Sequence, residues 1–597
     1  MILGKSDDAF LGVAKSATGQ RWIERLLPSQ RNTALAIAQT IEQPDLIGRV
    51  LAARGITLED VRVFLDPSLR ELMPDPSVLT DMDAATTRIA QAITNSEQVA
   101  IFGDYDVDGA CSSALMYKFL AHFGLKPIIH IPDRIFEGYG PNIAAITQLV
   151  ERGAKLIITV DCGATSFEAL EEAKKLGVDV VVLDHHQMNV ELPKAGALVN
   201  PNRQDDLSGV GHLCAAGVVF LTLVSVSREL RTNGRSDLPN LLDWLDLVAL
   251  ATVCDVVPLK GLNRAFVVKG LQVMSAQQNT GLRSLMRIAR SGGPPNVYQM
   301  GFVLGPRINA GGRIGDAALG SKLLICEDEE EAQQIAEQLD ALNAERQKAE
   351  ATMLEEAMSE VEREFDADSA PPIILASSNN WHPGIVGLLA ARLKERFKRP
   401  AIAISFERNG RGAGSGRSVS GVDLGVAVRA AGDDGLLEKG GGHAMAAGLT
   451  IAKDRLGELR AYLEEKLRDN VETAVSERSL KIDGALTARS ATLDLVEQLE
   501  KAGPFGQGHP QPIFVFPAHQ IRYAKIVGRD HVSFSASAGD GAQVRGIAFR
   551  AAETQLGQLL LQNNGQPIHL AGTLNADLWQ GTKRIQLRLT DAALADR

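Results

Sequence analysis

Cysteine is scarce and scattered. Five occur in 597 residues, Cys111, Cys162, Cys214, Cys254 and Cys326, and no two form a CxxC pair. That spacing excludes a disulfide framework and a thiolate zinc site and leaves reduced thiols. Long apolar runs are also missing: no stretch reaches the roughly eighteen residues a membrane helix needs, so no membrane partner is expected. The start, MILGKSDDAFLGVAK, has no basic segment ahead of an apolar core. Without a signal peptide, the expected location is the cytoplasm. Positive charge is in deficit. A net charge of -11 at pH 7 repels nucleic acid unless basic residues gather in a groove or a cation bridges the phosphates. There is no low-complexity tract and no internal repeat, and 45% hydrophobic against 23% charged residues exclude global disorder.

The chain is too long for one core, and about three or four domains are expected. Residues 1–80 read as a helical lead-in, with amphipathic pieces such as LIGRVLAARGI, closed by MPDPS. From 81 to 325 short apolar runs (QVAIFG, KPIIHIP, KLIITV, DVVVLD, GALVN) alternate with helical stretches, followed by a helical extension. Runs without polar alternation fit strands covered on both faces, so a parallel, helix-covered α/β sheet is predicted. Residues 326–366 read as one connecting helix with Ile335, Leu339, Leu342 and Met353 on a face and solvated glutamates elsewhere. A smaller α/β domain is expected over 367–465. Alternating strands such as VSFSASA and RIQLRLT predict a β-barrel of OB type over 466–597.

In a parallel sheet, ligands gather at the carboxyl ends of the strands. The apolar run VAIFG is followed by Asp104, Asp106 and Asp108, LIITV by Asp161, VVVL by Asp184, His185 and His186, and LVALATVC by Asp255. Taken singly, each aspartate reads as a helix cap. Their recurrence in four clusters, each after an apolar run and one of them Asp-His-His, reads instead as a metal site, because gathered carboxylates repel unless cations neutralise them. Oxygen donors with one imidazole suit Mn²⁺ or Mg²⁺. Two such ions about 4 Å apart can activate water and stabilise in-line displacement at phosphorus. Asp184 is expected to orient His185 from behind.

The motifs GDYDVDG, VDCG, LDHH and CDVVPL resemble those of the DHH phosphoesterase superfamily. Together with RINAGGRIG (307–315), WHPGIVGLLAARL (381–393), GSGRS (414–418) and GGGHAMAAG (440–448), they are similar to the RecJ family of single-strand-specific exonucleases, over residues 60–590. The resemblance implies a DHH catalytic domain, a long helix, a DHHA1 substrate domain and the OB-like barrel. It implies two Mn²⁺ or Mg²⁺ ions on Asp106, Asp108, Asp161, His185 and Asp255, with Asp104 and His186 assisting. Pyrophosphatase-like relatives have a histidine four residues before the first Asp of the D-x-D pair, where this chain has Phe102. That departure argues against pyrophosphatase chemistry.

An exonuclease must hold a terminal phosphate and follow a backbone. Ser415, Arg417 and Ser418 in SGRS, and His443 beside a glycine-rich loop, are candidates for phosphate contact. Arg134 is the candidate clamp for the 5′-phosphate, with Tyr139 near a base, and Arg307, Asn309 and Arg313 the candidate backbone contacts. Trp381 and His382 read equally as a base platform or as packing. His122 and His130 read as structural. Lys525, Arg529, Arg545 and Lys583 are the basic residues of the barrel that a single strand could meet. The function expected is 5′ to 3′ hydrolysis of single-stranded DNA to 5′-mononucleotides in recombination and repair. The alternative is a phosphodiesterase of dinucleotides, very short RNA or cyclic dinucleotides; a non-catalytic strand-binding protein would have lost acidic ligands, and none is missing. The resemblance further implies single-stranded-DNA-binding protein and a RecQ-type helicase as partners.

Overall fold

The computed structural model describes residues 9–134, 136–188, 190–365, 370–579 and 582–595. They form two units. One comprises Leu69–Pro258 and Leu262–Ser476; the other comprises the described residues up to Ser68, Leu259–Gly261 and those from Glu477 onward.

The second unit departs from the expected helical lead-in. Strand β1 (Arg21–Glu24) pairs in parallel with β12 (Ser479–Ile482), so the first sixty or so residues belong with the carboxy-terminal domain. Trp22 explains this. Its indole is fully buried and its Nε1 donates to Asp591 Oδ2 at 2.9 Å. The amphipathic helices Arg31–Thr40 and Asp45–Ala52 bury Ile37, Ile47, Val50 and Leu51 in the same core as Phe514, Phe516 and Phe534, an apolar face that neither could cover alone.

In the first unit, β2 (Val99–Phe102), β3 (Ile128–His130), β4 (Leu156–Val160), β5 (Asp179–Leu183) and β6 (Ala197–Val199) form a wholly parallel sheet in the order β3-β2-β4-β5-β6. Strands β2, β4 and β6 are buried at every position, as strands covered by helices on both faces must be. The apolar run before Asp255 is the helix Leu245–Cys254, not a strand. It is buried from Leu245 to Thr252, Asp246 included, and so carries no period to mark it as helical.

The connecting helix spans Glu329–Glu364. Its buried stripe runs Ala332, Ala336, Leu339, Asn343, Arg346, Glu350, Met353, Ala357 and Val361, a spacing of three and four residues that keeps one face inward. Glu350 is thus an exception among glutamates expected to be solvated.

A second sheet follows in the order β10-β11-β9-β8-β7, from β7 (Ile374–Ser378), β8 (Ala401–Phe406), β9 (Arg411–Arg417), β10 (Lys439–His443) and β11 (Ala446–Ala452). Only the β7–β8 pair is parallel. The glycine run of GGGH is the edge strand β10, not a loop.

In the other unit β13 (Gly484–Ala485) adds to β14 (Phe514–Val527), which continues through β15 (His531–Ser537), β16 (Gln543–Ala548), β18 (Thr582–Leu594) and β17 (Ile568–Trp579) back to β14. The result is a closed five-stranded barrel, consistent with an OB fold.

Candidate active site

The acidic residues converge beyond the carboxyl ends of β2, β4 and β5. Asp106 caps the helix Val107–His122, its Oδ1 accepting the amides of Asp108 (2.9 Å) and Gly109 (3.1 Å). A Cβ on Gly109 would stand 2.5 Å from the Asp104 carbonyl oxygen, so this turn closes only on glycine. Asp108 is buried in the first helical turn. Its oxygens accept the amides of Ala215 (2.6 Å) and Ala216 (2.8 Å), at the positive end of the helix Ala215–Thr232. Asp161 takes a left-handed backbone, φ 62°, a conformation that costs about 1–3 kcal/mol for a residue with a side chain and is held by its surroundings.

His185 Nδ1 donates to the Leu213 carbonyl at 3.1 Å, which leaves the Nε2 lone pair free. That lone pair faces Asp161 Oδ1 at 3.3 Å, Asp108 Oδ2 at 3.7 Å and Asp255 Oδ2 at 3.8 Å. Asp255 arrives from the carboxyl end of a helix, not of a strand. Contrary to expectation, Asp184 does not orient the His185 ring; its carboxylate accepts His186 Nδ1 (2.7 Å) and the amides of Ala164, His185 and His186. Burial alone would raise the Asp184 pKa, but the hydrogen bond and charge of His186 with those amides hold it at about 2. Burial would likewise lower His186, yet Asp184 holds it up at about 9.

Four other carboxyls move the other way. Burial first, then neighbouring carboxylates, pushes Asp104 and Asp161 well above the ordinary range, raises Asp108, and lifts Asp255 to about 8. Three sets of donor atoms lie within 4.8 Å of one another: Asp161, His185 and His186; Asp108, His185 and Asp255; Asp104, Asp106 and Asp161. Asp104 Oδ1 and Asp161 Oδ1 are buried and accept no hydrogen bond among the described residues. Lone pairs aimed at carboxylates and buried oxygens without donors fit a hard divalent cation held by oxygen and imidazole. The Tyr139 hydroxyl donates to the Asp161 carbonyl at 3.0 Å and stands 3.3 Å from His186 Nε2.

Beside this cluster lies one of opposite sign. The Arg134 guanidinium stands 5.3 Å over the ring of Tyr105. Arg313, in the last turn of the helix Gly305–Ile314, donates to the Gly384 carbonyl at 3.2 Å. A Cβ on Gly384 would meet the Arg313 carbonyl oxygen at 2.3 Å, which accounts for the glycine in WHPG. Burial, then the charges of Arg134, Arg346 and Arg417, lowers Arg313 to about 10; Arg417 is lowered by burial and by Arg134. Arg417 donates to Ser415 Oγ at 3.0 Å and to the Gly416 carbonyl at 2.8 Å. Tyr105 feels both clusters, raised to about 12 by burial and Asp104 against the opposing charges of Arg134 and Arg313. Sequence reasoning passed over Tyr105 and Arg346, because an aromatic inside an acidic motif and an arginine in a long charged helix carry no distinguishing spacing.

Other candidates fare differently. Ser418 is a correction: its hydroxyl is buried and donates to the Val422 carbonyl at 2.7 Å, so it is spent on its own turn. Arg307 Nε donates to Asp340 at 2.8 Å and its Nη1 to the Val303 carbonyl at 2.7 Å, tying it to helices. RINAGGR is helix, not a glycine turn; a Cβ on Gly312 would lie 2.8 Å from Tyr105 Cβ. Asn309 Oδ1 is buried with no hydrogen-bond partner among the described residues. His443 is exposed at the end of β10. Trp381 is buried packing, its Nε1 donating to Glu356 at 2.9 Å, and His382 Nδ1 accepts the Gly384 amide at 3.1 Å. His122 and His130 reach Asp237 and Glu137, as structural residues do. In the barrel, Tyr523, Ser535 and Arg545 are aligned across β14, β15 and β16. Lys525, Ser533, Ile547 and Arg588 form the next row of that face. Arg529 lies in the turn between β14 and β15, and Lys583 is 3.7 Å from Glu497.

The profile of the DHH family, N-terminal domain, matches residues 98–252, that of the DHHA1 domain residues 370–469, and that of the RecJ OB domain residues 482–591. The single-stranded-DNA-specific exonuclease RecJ of Dickeya dadantii is 35% identical over 557 residues, covering 91% of this chain and 95% of that protein. The protein of the same name from Escherichia coli is 34% identical over 559 residues, covering 92% of this chain and 95% of that protein. The crystal structure of RecJ from Thermus thermophilus in complex with Mn²⁺ superposes with a TM-score of 0.78 at 28% identity, over 95% of this chain and 78% of that one. Agreement of this length, through all three domains in one order, means that the chain belongs to the RecJ family of DHH phosphoesterases.

Proposed function

We propose that the protein hydrolyses single-stranded DNA from its 5′ end, releasing 5′-mononucleotides, with Asp106, Asp108, Asp161, His185 and Asp255 holding two Mn²⁺ or Mg²⁺ ions. Bound there, the ions supply a polarised water as nucleophile and neutralise charge on the leaving oxygen. Asp184 keeps His186 charged and fixed, and Asp104 adds a buried carboxylate beside Asp106. The observation that carries the reading is the meeting, at Tyr105, of a largely buried cluster of carboxylates with a half-buried cluster of guanidiniums. Among the described residues Arg134, Arg313 and Arg417 are charge without a paired carboxylate, at the place where a terminal phosphate would lie. Ser415, in β9, and His443, at the end of β10, belong to one sheet and would contact the backbone.

The barrel face of Tyr523, Lys525, Ser533, Ser535, Arg545 and Arg588 supports strand binding, since aromatic and basic groups with small neighbours form a stacking groove. In this role the protein works in the cytoplasm, in repair and recombination, beside single-stranded-DNA-binding protein and a RecQ-type helicase; co-purification with each tests those contacts. The decisive experiment supplies Mn²⁺ with long single-stranded DNA labelled at a 5′-phosphate, and a labelled dinucleotide in parallel. Immediate release of labelled mononucleotide from the long strand is the expected result. Survival of the long strand with cleavage of the dinucleotide would instead favour a small-substrate phosphodiesterase.

A further inference from the structure

Tyr298 and Phe302 stand in the open and lean on each other. They are 60% and 71% exposed, with ring centroids 5.2 Å apart and planes 23° from parallel. Single exposed aromatics are ordinary, but two that stack in solvent make a preformed apolar platform. The backbone sets it there. A continuous helix runs from Val297 to Ile314 with a widened π turn at Met300–Leu304. Pro306 accounts for the widening: it has no amide to give the Phe302 carbonyl, and its ring crowds that carbonyl.

Glycines keep this helix flush with the site. A Cβ on Gly305 would stand 2.6 Å from Cys254 Sγ, and one on Gly301 would stand 3.4 Å from Val253 Cγ1. Cys254 Sγ donates to the Met300 carbonyl at 3.4 Å, and Asp255 is the next residue. At the far end Gly312 lies against Tyr105, and Arg313 joins the guanidinium cluster. One helix therefore runs from the aromatic pair, past Cys254 beside Asp255, to Tyr105 and the arginines. Beyond the widened turn, Asn309 and Arg313 follow about one turn apart on the same helix. Val256, 62% exposed, extends the apolar rim beside Asp255.

We propose that Tyr298 and Phe302 form a stacking platform for bases of the single strand on the 3′ side of the cleaved bond. The inference rests on the exonuclease reading: a 5′-phosphate on the arginines puts the bond at the carboxylates, and the remaining strand leaves past Asp255. By helical rise Phe302 and Arg313 are roughly 15 Å apart, which is about four or five stacked nucleotides. Aromatic platforms accept any base, because every base has a π face. The platform therefore adds strand length to what the enzyme recognises, without adding sequence.

The test compares the full-length protein with the double variant Tyr298→Ala, Phe302→Ala on 5′-phosphorylated oligodeoxyadenylates of about 3 to about 20 nucleotides in Mn²⁺, spanning the usual single-strand site sizes. The expected result is a loss of about tenfold or more in kcat/KM on the longest strands, shrinking as strands become too short to reach. The ring-keeping variant Tyr298→Phe, Phe302→Tyr should restore the dependence. An equal effect at every length, or none, overturns the platform while leaving the exonuclease reading intact. A changed oligomeric state or lost protein partner without a length effect assigns the pair to protein contact and also overturns it. If the unaltered protein cuts none of these strands, the exonuclease reading fails and the platform fails with it.

Discussion

The carboxylate cluster and the guanidinium cluster are alike in construction and opposite in sign. Both concentrate like charge in partial or full burial, and both shift pKa values toward the neutral form, Asp255 up to about 8 and Arg313 down to about 10. They differ in how much of the charge is already answered. Asp108 and Asp184 each hold at least two backbone amides, and Asp184 has His186, whereas Asp104 and Asp161 keep buried oxygens that meet no donor among the described residues. Among the described residues Arg313 is met by the Gly384 carbonyl, and Arg417 by the Gly416 carbonyl and the Ser415 hydroxyl, with no carboxylate on either. The lesson is that a net charge of -11 says little about partners when each sign is gathered locally, because local fields rule binding.

The strongest way to break the comparison is to remove one carboxylate. Asp161→Ala should lower hydrolysis by roughly a thousandfold or more, as loss of a group that stabilises transition-state charge does, while circular dichroism stays native. Because Asp161 is crowded by Asp108, Asp106 and Asp104, the same change should raise the melting temperature of metal-free protein. A fall in both would mean the cluster is a structural network and not a site for cations.

On the positive side, Arg417→Ala should weaken cleavage of 5′-phosphorylated strands by about ten- to a hundredfold, the worth of a hydrogen bond to a charged group. A 5′-hydroxyl strand should lose far less. Equal losses on both substrates would separate Arg417 from the terminal phosphate.

Titration distinguishes the two clusters next. Asp255 has a folded pKa of about 8 against an ordinary 3.8, so the folded state binds the extra proton. Metal-free stability should therefore fall as pH rises from about 4 to 8, and Mn²⁺ should recover it. Thermal melts in chelator and in Mn²⁺ at several pH values measure this; a metal-free curve flat across that window would contradict it. The smallest effect belongs to the barrel. Lys525→Gln should reduce the slope of log affinity against log salt by about 0.7, one phosphate contact on a single strand.

Much of the site was legible because strand ends announce themselves. Asp104, Asp106, Asp161, Asp184 and His185 each stand within a few residues of an apolar run that ends abruptly, and β2, β4 and β5 end there. Asp255 was found by the same rule although its run is a helix, since a segment buried from Leu245 to Thr252 has no period to separate the two. Glycine misled in the other direction. The glycine run before His443 reads as a loop, yet it is the edge strand β10, and in RINAGGR the glycines of a helix face Tyr105 and Asp316. Close packing calls for glycine as surely as a turn does. Ser418 looked like a phosphate donor until its hydroxyl was seen to serve Val422.

By itself the sequence determined the order of domains, the parallel sheet and the residues that could carry charge to its edge, because periodicity and strand-end chemistry are local. Tertiary structure decided which charges meet. His185 faces Asp108, Asp161 and Asp255 only once two helices and two strands have packed, and Arg134 approaches Arg313 and Arg417 only across the seam between two sheets. The first residues joined the barrel for the same reason, since the Trp22 indole found Asp591 at the other end of the chain. Electrostatic partnership depends on distance in space, and a linear sequence carries no record of that until the core has closed.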